Sequence, residues 1–277
     1  MASGILQWNI RGLRPHYTEL NLMVKTLNVN VLCLQETKLN TNHDFSIKGF
    51  SGYHHINENN QIACGGTSIF VRNSLLHKRV QLNTKLQASA VRVTFQKPIT
   101  ICSLYLPPNL NPSLNTLKNL IQQLPPPFVL VGDFNAHNPL WGSATTNTKG
   151  KIIEDLILQL DLCLFNDISP THVNPSNLET SSIDLSICSS NILPDFAWSV
   201  LDDLHGSDHY PIILKPNFPI QQSLPDKGNF KRARWTSFVE DCQSQLNEPC
   251  SIQFYDQFFN TLMSISDKNI PKLSKTP

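Results

Sequence analysis

The chain has 277 residues, with 22 Lys and Arg against 21 Asp and Glu for a formal net charge of +1. That length supports a large buried core in one layered domain or two smaller ones. The even charge excludes the overall basic excess of a chain that coats nucleic acid, and leaves a local basic face open. No run of about 18 apolar residues is present to cross a bilayer, and the opening MASGILQWNIRG lacks the basic and then apolar layout of a signal peptide. An intracellular protein without a membrane partner is expected. The seven cysteines are an odd number with no CxxC pair. Most sit in apolar runs such as VLCLQ and ITICSLY, as small hydrophobes of a reducing compartment do, so neither disulfides nor a zinc cluster is expected from them.

In chain order, Ile5 to Asn9 is a short apolar strand, and Leu20, Met23, Val24 and Leu27 mark one face of a helix that Pro15 helps to start. Val31 to Gln35 is a buried strand that delivers Glu36. Asn40 to Gln61 reads as a polar loop, after which Gly65 and Gly66 turn the chain into the strand TSIFVR. Apolar residues alternate with Arg92 and Thr94 in Val91 to Phe95, one face for a core and one for water. Lys78, Arg79 and Lys85 flank a hairpin and read by default as a solvated basic face, with a DNA backbone track as the alternative. ITICSLY is a further strand ending at Tyr105. Leu114, Leu117, Leu120, Ile121 and Leu124 predict a second helix.

The stretch FVLVGDFNAHNPLW, Phe128 to Trp141, is the centre of the pattern. A short apolar strand behind three prolines runs out at Gly132 into Asp133 and Asn135. A carboxylate and a carboxamide two residues apart share one strand face and can address one phosphate or one water. The same pair can equally form an ordinary Asx turn. His137 and Trp141 belong to this loop and either pack beneath it, the favoured role, or touch DNA. Ile152, Ile153, Leu156, Ile157 and Leu160 predict a third helix, and Leu162 to Phe165, Ile183 to Cys188 and Tyr210 to Leu214 further strands. The other histidines, His172 among them, lack ligand spacing and read mostly as solvated loop residues. Many strands interspersed with three helices fit an α/β sandwich of two packed sheets with helices outside.

Several strands deliver a polar residue at or just past their ends: Asn9, Glu36, Tyr105, Asp133 with Asn135, Asp184, and Asp208 with His209. Any one of these suits a cap or a turn. Together they are the inventory of metal-assisted phosphodiester cleavage, which needs a carboxylate for a hard ion such as Mg²⁺, a carboxylate for water, and neutral donors with an imidazole for the phosphate charge.

The segments LQWNIRGL, LQET, SLYLPP, GDFNAHNPLWG, SSIDLSI and GSDHYPI, in this order over about residues 4 to 216, resemble the endonuclease/exonuclease/phosphatase superfamily. Within it the chain is most similar to the AP-endonuclease-like domains of non-LTR retrotransposons of the jockey type. The resemblance implies a four-layered, DNase I-like α/β sandwich with two mixed β-sheets flanked by helices. It implies a Mg²⁺-dependent DNA endonuclease, with Mn²⁺ as a substitute ion, that nicks one strand to leave a 3′ hydroxyl as primer for reverse transcription. A phosphatase or phospholipase of the same superfamily, and a decayed copy that binds DNA without cutting, are the alternatives.

Carried over by motif, Glu36 is the principal metal ligand and Asp133 activates water beside Asn135. Asn9 and Tyr105 donate to the phosphate, His209 meets its growing charge, and Asp184 orients that imidazole. Asp208 supports the metal or the histidine. Thr171 and Ser181 match positions of the DNA-facing pocket. Arg11 stands where AP endonucleases often carry an acid, and it either binds a DNA phosphate or forms a surface salt bridge. The domain would span 1–216, followed over 217–277 by a linker and the start of a connection towards a reverse transcriptase. PNFPIQQSLPDKGN, Pro216 to Asn229, reads as that linker, and Phe238, Cys242 and Leu246 at helical spacing follow it. The implied partners are DNA, the element RNA and the reverse transcriptase of a longer polyprotein, without an obligate further protein, and the implied site of action is nuclear.

Overall fold

The computed structural model describes residues 4–40, 45–57, 64–218, 230–246 and 255–271. Internal contacts divide the chain into Met1–Gln222 and Ser223–Pro277. The first unit opens with β1 (Ile5–Asn9), α1 (Tyr17–Thr26), β2 (Val31–Gln35), β3 (Phe50–His55) and β4 (Thr67–Arg72). It continues through β5 (His77–Val80), β6 (Gln87–Thr94), β7 (Pro98–Tyr105), α2 (Leu114–Ile121), β8 (Phe128–Asp133), α3 (Thr148–Gln159) and β9 (Leu162–Leu164). The small pair β10 (His172–Val173) and β11 (Thr180–Ser181) precedes β12 (Asp184–Ser189), β13 (Phe196–Val200) and β14 (Ile212–Pro216).

Two six-stranded sheets result, ordered β13-β14-β1-β2-β4-β3 and β5-β6-β7-β8-β12-β9. Both are mixed: β1 pairs in parallel with β2 across α1, and β7 with β8 across α2, while their other pairings are antiparallel. The helices begin where local chemistry allows. Ser113 caps α2 by accepting from the Thr116 amide at 3.1 Å, and Asn147 caps α3 by accepting from Gly150 at 2.7 Å. Pro15 lies just outside α1, whose N-cap is His16.

Four layers follow from three apolar clusters. Leu20, Met23 and Val24 of α1 cover Leu6, Trp8, Leu32, Leu34 and Phe70 on one face of the first sheet. Leu117, Leu120, Ile153 and Leu156 of α2 and α3 cover Cys102, Leu104, Leu130 and Leu185 on the outer face of the second. Between the sheets lie Ile5, Val31, Ile69, Val91, Ile101, Val129 and Ile212. Each fully buried aliphatic side chain here contributes roughly 1.5 to 3 kcal/mol. The fold is the α/β sandwich with two mixed sheets and flanking helices that the motifs imply.

Two segments differ from the sequence expectation. The polar loop expected over Asn40 to Gln61 contains β3, an edge strand paired antiparallel with β4. Only Phe50 of its residues is buried, so an apolar alternation never develops there. β13 also arises unannounced, although Phe196, Trp198 and Val200 alternate toward the inter-sheet core. Lys78 and Arg79 lie within β5 rather than beside it, on the exposed edge of the second sheet.

The second unit contains α4 (Trp235–Gln245) and α5 (Tyr255–Asn269). Phe238 and Cys242 lie on α4, and Leu246 closes it. Asp241 ties the two helices by accepting from Lys268 Nζ at 3.0 Å and Asn269 Nδ2 at 2.6 Å. Most of the expected linker falls outside the described residues, with Pro216 ending β14. Among the described residues no helix is long and apolar enough to cross a membrane.

Candidate active site

The inward faces of the two sheets change character along each strand. On β1 the inward row runs Ile5, Gln7, Asn9, on β2 Val31, Cys33, Gln35, and on β7 Ile101, Ser103, Tyr105. On β8 it runs Val129, Val131, Asp133, and on β12, read backward, Cys188, Ser186, Asp184. Period-2 alternation places each trio on one face, and these residues are buried. Below the row ends the sheets are joined: Gln7 donates to Gly132 O at 3.0 Å and accepts from Ser186 at 3.0 Å, and Gln35 donates to Ser103 at 2.8 Å. These bonds offset the cost of burying the Gln7 amide, whereas Gln35 Oε1 is buried without a hydrogen-bond partner among the described residues. At the row ends Asn9, Tyr105, Asp133 and Asp184 meet.

Asn9 is its hinge. Its Nδ2 donates to Glu36 Oε1 at 3.1 Å and to Asp133 Oδ2 at 2.9 Å, joining carboxylates from different sheets. Tyr105 Oη donates to the same Glu36 oxygen at 3.0 Å. Burial, then the charges of Glu36 and Asp133, push the phenol far up, which keeps it a neutral donor. Glu36, Asn135 and Arg11 all adopt left-handed backbone, φ 49°, 48° and 50°, which turns each off the line of its strand. Such strain concentrates where a side chain must be aimed.

Asn135 also resolves the choice posed by its spacing from Asp133. Its amide donates to Asp133 Oδ1 at 3.0 Å, forming the Asx turn, and its Nδ2 donates to Asp133 Oδ2 at 3.1 Å. The turn and the shared polar site are one arrangement. Burial raises the Asp133 carboxyl to about 7, against the lowering effect of His209 and with the raising effect of Asp184.

Asp184 lies directly opposite Asp133 in the β12–β8 ladder. Its Oδ2 accepts from Thr171 Oγ1 at 2.8 Å and pairs with His209 Nδ1 at 2.8 Å. His209 Nε2 is 4.0 Å from Asp133 Oδ2 and 3.9 Å from Asp208 Oδ1. Burial pulls this imidazole down, but Asp184, Asp133 and Asp208 outweigh it and raise it to about 9. Trp8 Nε1 anchors the segment by donating to His209 O at 2.9 Å. Arg11 pairs with Asp208 Oδ2 at 2.8 Å, the salt-bridge arrangement.

Of these groups Arg11, Glu36, Asp133, Asn135, Asp208 and His209 line one cavity of about 690 Å³, whereas Asn9, Tyr105 and Asp184 are not among its lining residues. Oxygen donors dominate it, as a hard divalent ion requires. Among the described residues Glu36 Oε2 pairs with Lys38, 3.5 Å away, while Asp208 Oδ1 is buried without a hydrogen-bond partner. Such an oxygen is costly unless a cation meets it, so Glu36 and Asp208 fit a divalent ion.

The model of the family described as endonuclease-reverse transcriptase matches residues 99–213, the span from β7 to β14 that carries Tyr105, Asp133, Asp184 and His209. Over that span the chain is similar to the endonuclease/exonuclease/phosphatase superfamily. It is 27% identical over 219 residues to the probable RNA-directed DNA polymerase from transposon X-element of Drosophila melanogaster, covering 77% of this chain and 24% of that protein. It is 25% identical to the RNA-directed DNA polymerase from mobile element jockey of Drosophila funebris, covering 74% and 23%. The chain thus spans about a quarter of the length of these relatives. The endonuclease domain of TRAS1, a telomere-specific non-LTR retrotransposon, superposes with TM-score 0.66 at 20% identity, covering 78% of this chain and 99% of that one. An AP endonuclease from Leishmania major gives 0.62 at 15%, covering 78% and 88%.

The superfamily motifs therefore meet at one end of the sandwich, but two residues have other surroundings than expected. Thr171 is fully buried behind Asp184 and bonded to it, so it does not face DNA as its motif position implies. Ser181 does line the cavity, where its Oγ meets His172 Nδ1 at 3.1 Å. His172 is no solvated loop residue: it stands in β10 with its ring 4.6 Å from that of His209. No spacing signal reveals this, because the contact comes from a bridge between distant segments. Trp141 packs in the core with Nε1 donating to Ala136 O at 3.0 Å, and His137 lines the cavity. Lys149 also escapes sequence reading. It is buried and donates to Pro107 O at 2.8 Å and Pro108 O at 3.0 Å, pinning the loop after Tyr105.

Proposed function

We propose that the chain is the DNA endonuclease of a non-LTR retroelement polyprotein, a Mg²⁺-dependent phosphodiesterase that nicks one strand and leaves a 3′ hydroxyl. The observation that carries this reading is the position of Asp133. It is buried between Asn9, which links it to Glu36, and the His209–Asp184 pair.

Asp133, with its carboxyl raised toward neutrality, is suited to take a proton from an attacking water. Asn135 and Asn9 hold that carboxylate in place and can orient the water in line with phosphorus. As the P–O3′ bond breaks, negative charge grows on the non-bridging oxygens. Protonated His209, held by Asp184, and the neutral Tyr105 hydroxyl donate to those oxygens. The 3′ oxygen leaves, takes up a proton from solvent water and becomes the hydroxyl, while the phosphate stays on the 5′ side and the proton held by Asp133 is returned to solvent. Glu36 would hold the ion, with Mn²⁺ able to replace Mg²⁺, and Asp208 would support the metal or the histidine. When bound, the ion supplies neutralisation of phosphate charge.

The retroelement setting is supported by the likeness to the jockey and X-element polymerases. It carries with it DNA as substrate, the element RNA and a reverse transcriptase as partners, and a nuclear site of action. The test is conversion of supercoiled plasmid to open circles by the purified chain with Mg²⁺, its arrest by chelator, and its loss in Asp133→Ala and His209→Ala. Undiminished nicking by both variants would overturn the reading. Hydrolysis of phosphomonoesters without nicking would favour a phosphatase of the same superfamily.

A further inference from the structure

We infer that His172, Asp208 and His209 form a second cation site, selective for a borderline-soft ion such as Zn²⁺, and that its occupation removes His209 from phosphate chemistry. The binding half stands by itself, and the inhibitory half rests on the nuclease reading above.

One ligand atom from each of the three residues lies within 4.8 Å of the other two. His172 Nε2 is 3.9 Å from Asp208 Oδ2, and His209 Nε2 is 3.9 Å from Asp208 Oδ1. Donors around a tetrahedral zinc ion stand roughly 3.3 Å apart, given bonds of about 2.0 to 2.1 Å. The two carboxylate distances, each to a different Asp208 oxygen, exceed this by about half an ångström, and the two imidazole nitrogens lie within 4.8 Å, so closing the site requires side-chain rotation.

The rings are already oriented for it. His209 Nδ1 is engaged by Asp184 and His172 Nδ1 by Ser181 Oγ, which leaves both Nε2 atoms to face Asp208. Zinc-binding histidines are usually held in this way, one ring nitrogen bonded to a neighbouring oxygen group so that the other is turned toward the metal. The backbone is fixed as well. His172 and His209 form a bridge, the Val173 amide donates to Asp208 O at 2.9 Å, and the Tyr210 amide donates to Thr171 O at 2.8 Å.

Arg11 occupies Asp208 Oδ2, whereas Oδ1 is buried and lacks a hydrogen-bond partner. Two imidazoles and one carboxylate suit zinc, while Mg²⁺ takes oxygen ligands and keeps its waters. The site is thereby distinct in chemistry from the Glu36 position. The carboxylates of Asp133 and Asp184 add attraction for a dication at this point.

Zinc affinity of the metal-free full chain, read by competition with a chromogenic chelator, tests the binding half. His172→Gln and Asp208→Asn should each weaken binding by about tenfold or more, and Mg²⁺ at a concentration equal to that of zinc should not displace it, although the two ions share Asp208. Wild-type affinity in His172→Gln, or displacement of zinc by Mg²⁺ at that concentration, would overturn the proposal. Should either variant lose its thermal transition, Co²⁺ bound to the wild type decides. A tetrahedral spectrum without a thiolate charge-transfer band supports the site, and such a band would assign the metal to a cysteine instead. In plasmid assays at fixed Mg²⁺, zinc should inhibit the wild type at lower concentration than it inhibits His172→Gln. Equal inhibition with intact binding would overturn the inhibitory half alone, and absence of any nicking would count against the nuclease reading while leaving the zinc measurement standing.

Discussion

Asp184 and His209 face each other from opposite sheets, 2.8 Å apart, Asp184 opening β12 of one and His209 leading into β14 of the other. The carboxylate fixes Nδ1 as the donor and leaves Nε2 for the cavity. Asp184→Asn keeps the shape but presents an amide that no longer favours the charged ring. Nicking should fall by about 10² to 10⁴ with little change in DNA affinity, as when the orienting carboxylate of a catalytic histidine is neutralised. Unaltered turnover would show that the pair is structural only.

The same pair predicts a pH profile. In the proposed mechanism Asp133 works as its anion, so its raised carboxyl predicts that activity appears as pH climbs through about 7. There His209 works as its cation, so its elevation predicts that activity disappears as pH passes about 9. The rate should be bell-shaped, and Asp184→Asn should move the alkaline limb toward acid because it removes the main group that raises His209. A bound divalent cation favours the anion and should shift the acid limb downward as Mg²⁺ increases. Initial nicking rates over the pH range at several Mg²⁺ concentrations check both directions.

Gly132 sits where β8 passes β7, and a Cβ there would lie 1.8 Å from Leu104 O. That overlap is between backbones, so no rotamer relieves it. Gly132→Ala should cost about 3 kcal/mol or more, read as a large fall in the thermal midpoint or loss of soluble protein.

Lys149 donates to two proline carbonyls from inside the protein. Lys149→Met keeps the stem and removes the donors, which should destabilise the fold by about 1 to 3 kcal/mol through the stranded carbonyls. Nicking should also weaken, since the pinned loop follows Tyr105. A thermal midpoint equal to that of the wild type would show that water replaces the ammonium.

Arg11 is half exposed and bound to Asp208. Arg11→Ala should therefore change stability by less than about 1 kcal/mol. If the guanidinium also reaches a DNA phosphate, the salt dependence of binding should lose about one unit of slope. An unchanged slope would confine Arg11 to the ion pair.

The sandwich and its candidate active groups are legible in the sequence for a shared reason. Short apolar strands announce themselves by composition, and a polar residue stands where the core stops, Glu36 just after β2, Asp133 at the end of β8 and His209 ahead of β14. The inward rows behind them are written there too, as Ile5, Gln7, Asn9 or Val129, Val131, Asp133, but only the pairing of two sheets reveals that they converge. β3 is hidden because an edge strand needs no apolar alternation. His172 and Lys149 are hidden because their roles depend on contacts between segments remote in sequence, for which local spacing carries no mark. Thr171 shows the opposite limit, a motif position whose neighbourhood is set by burial behind Asp184.

The antiparallel pairing of β1 with β14 joins Ile5 to Leu214 across almost the whole first unit. His209 enters the cavity only on the approach to β14, so a chain still under synthesis, or one cut short before that point, has Asn9, Glu36 and Asp133 but not the imidazole between them. The topology thereby acts as a completion check. Cutting capacity would arise in one late step, when the last strand of the domain closes against the first, and a truncated copy would inherit the carboxylates without the ability to use them.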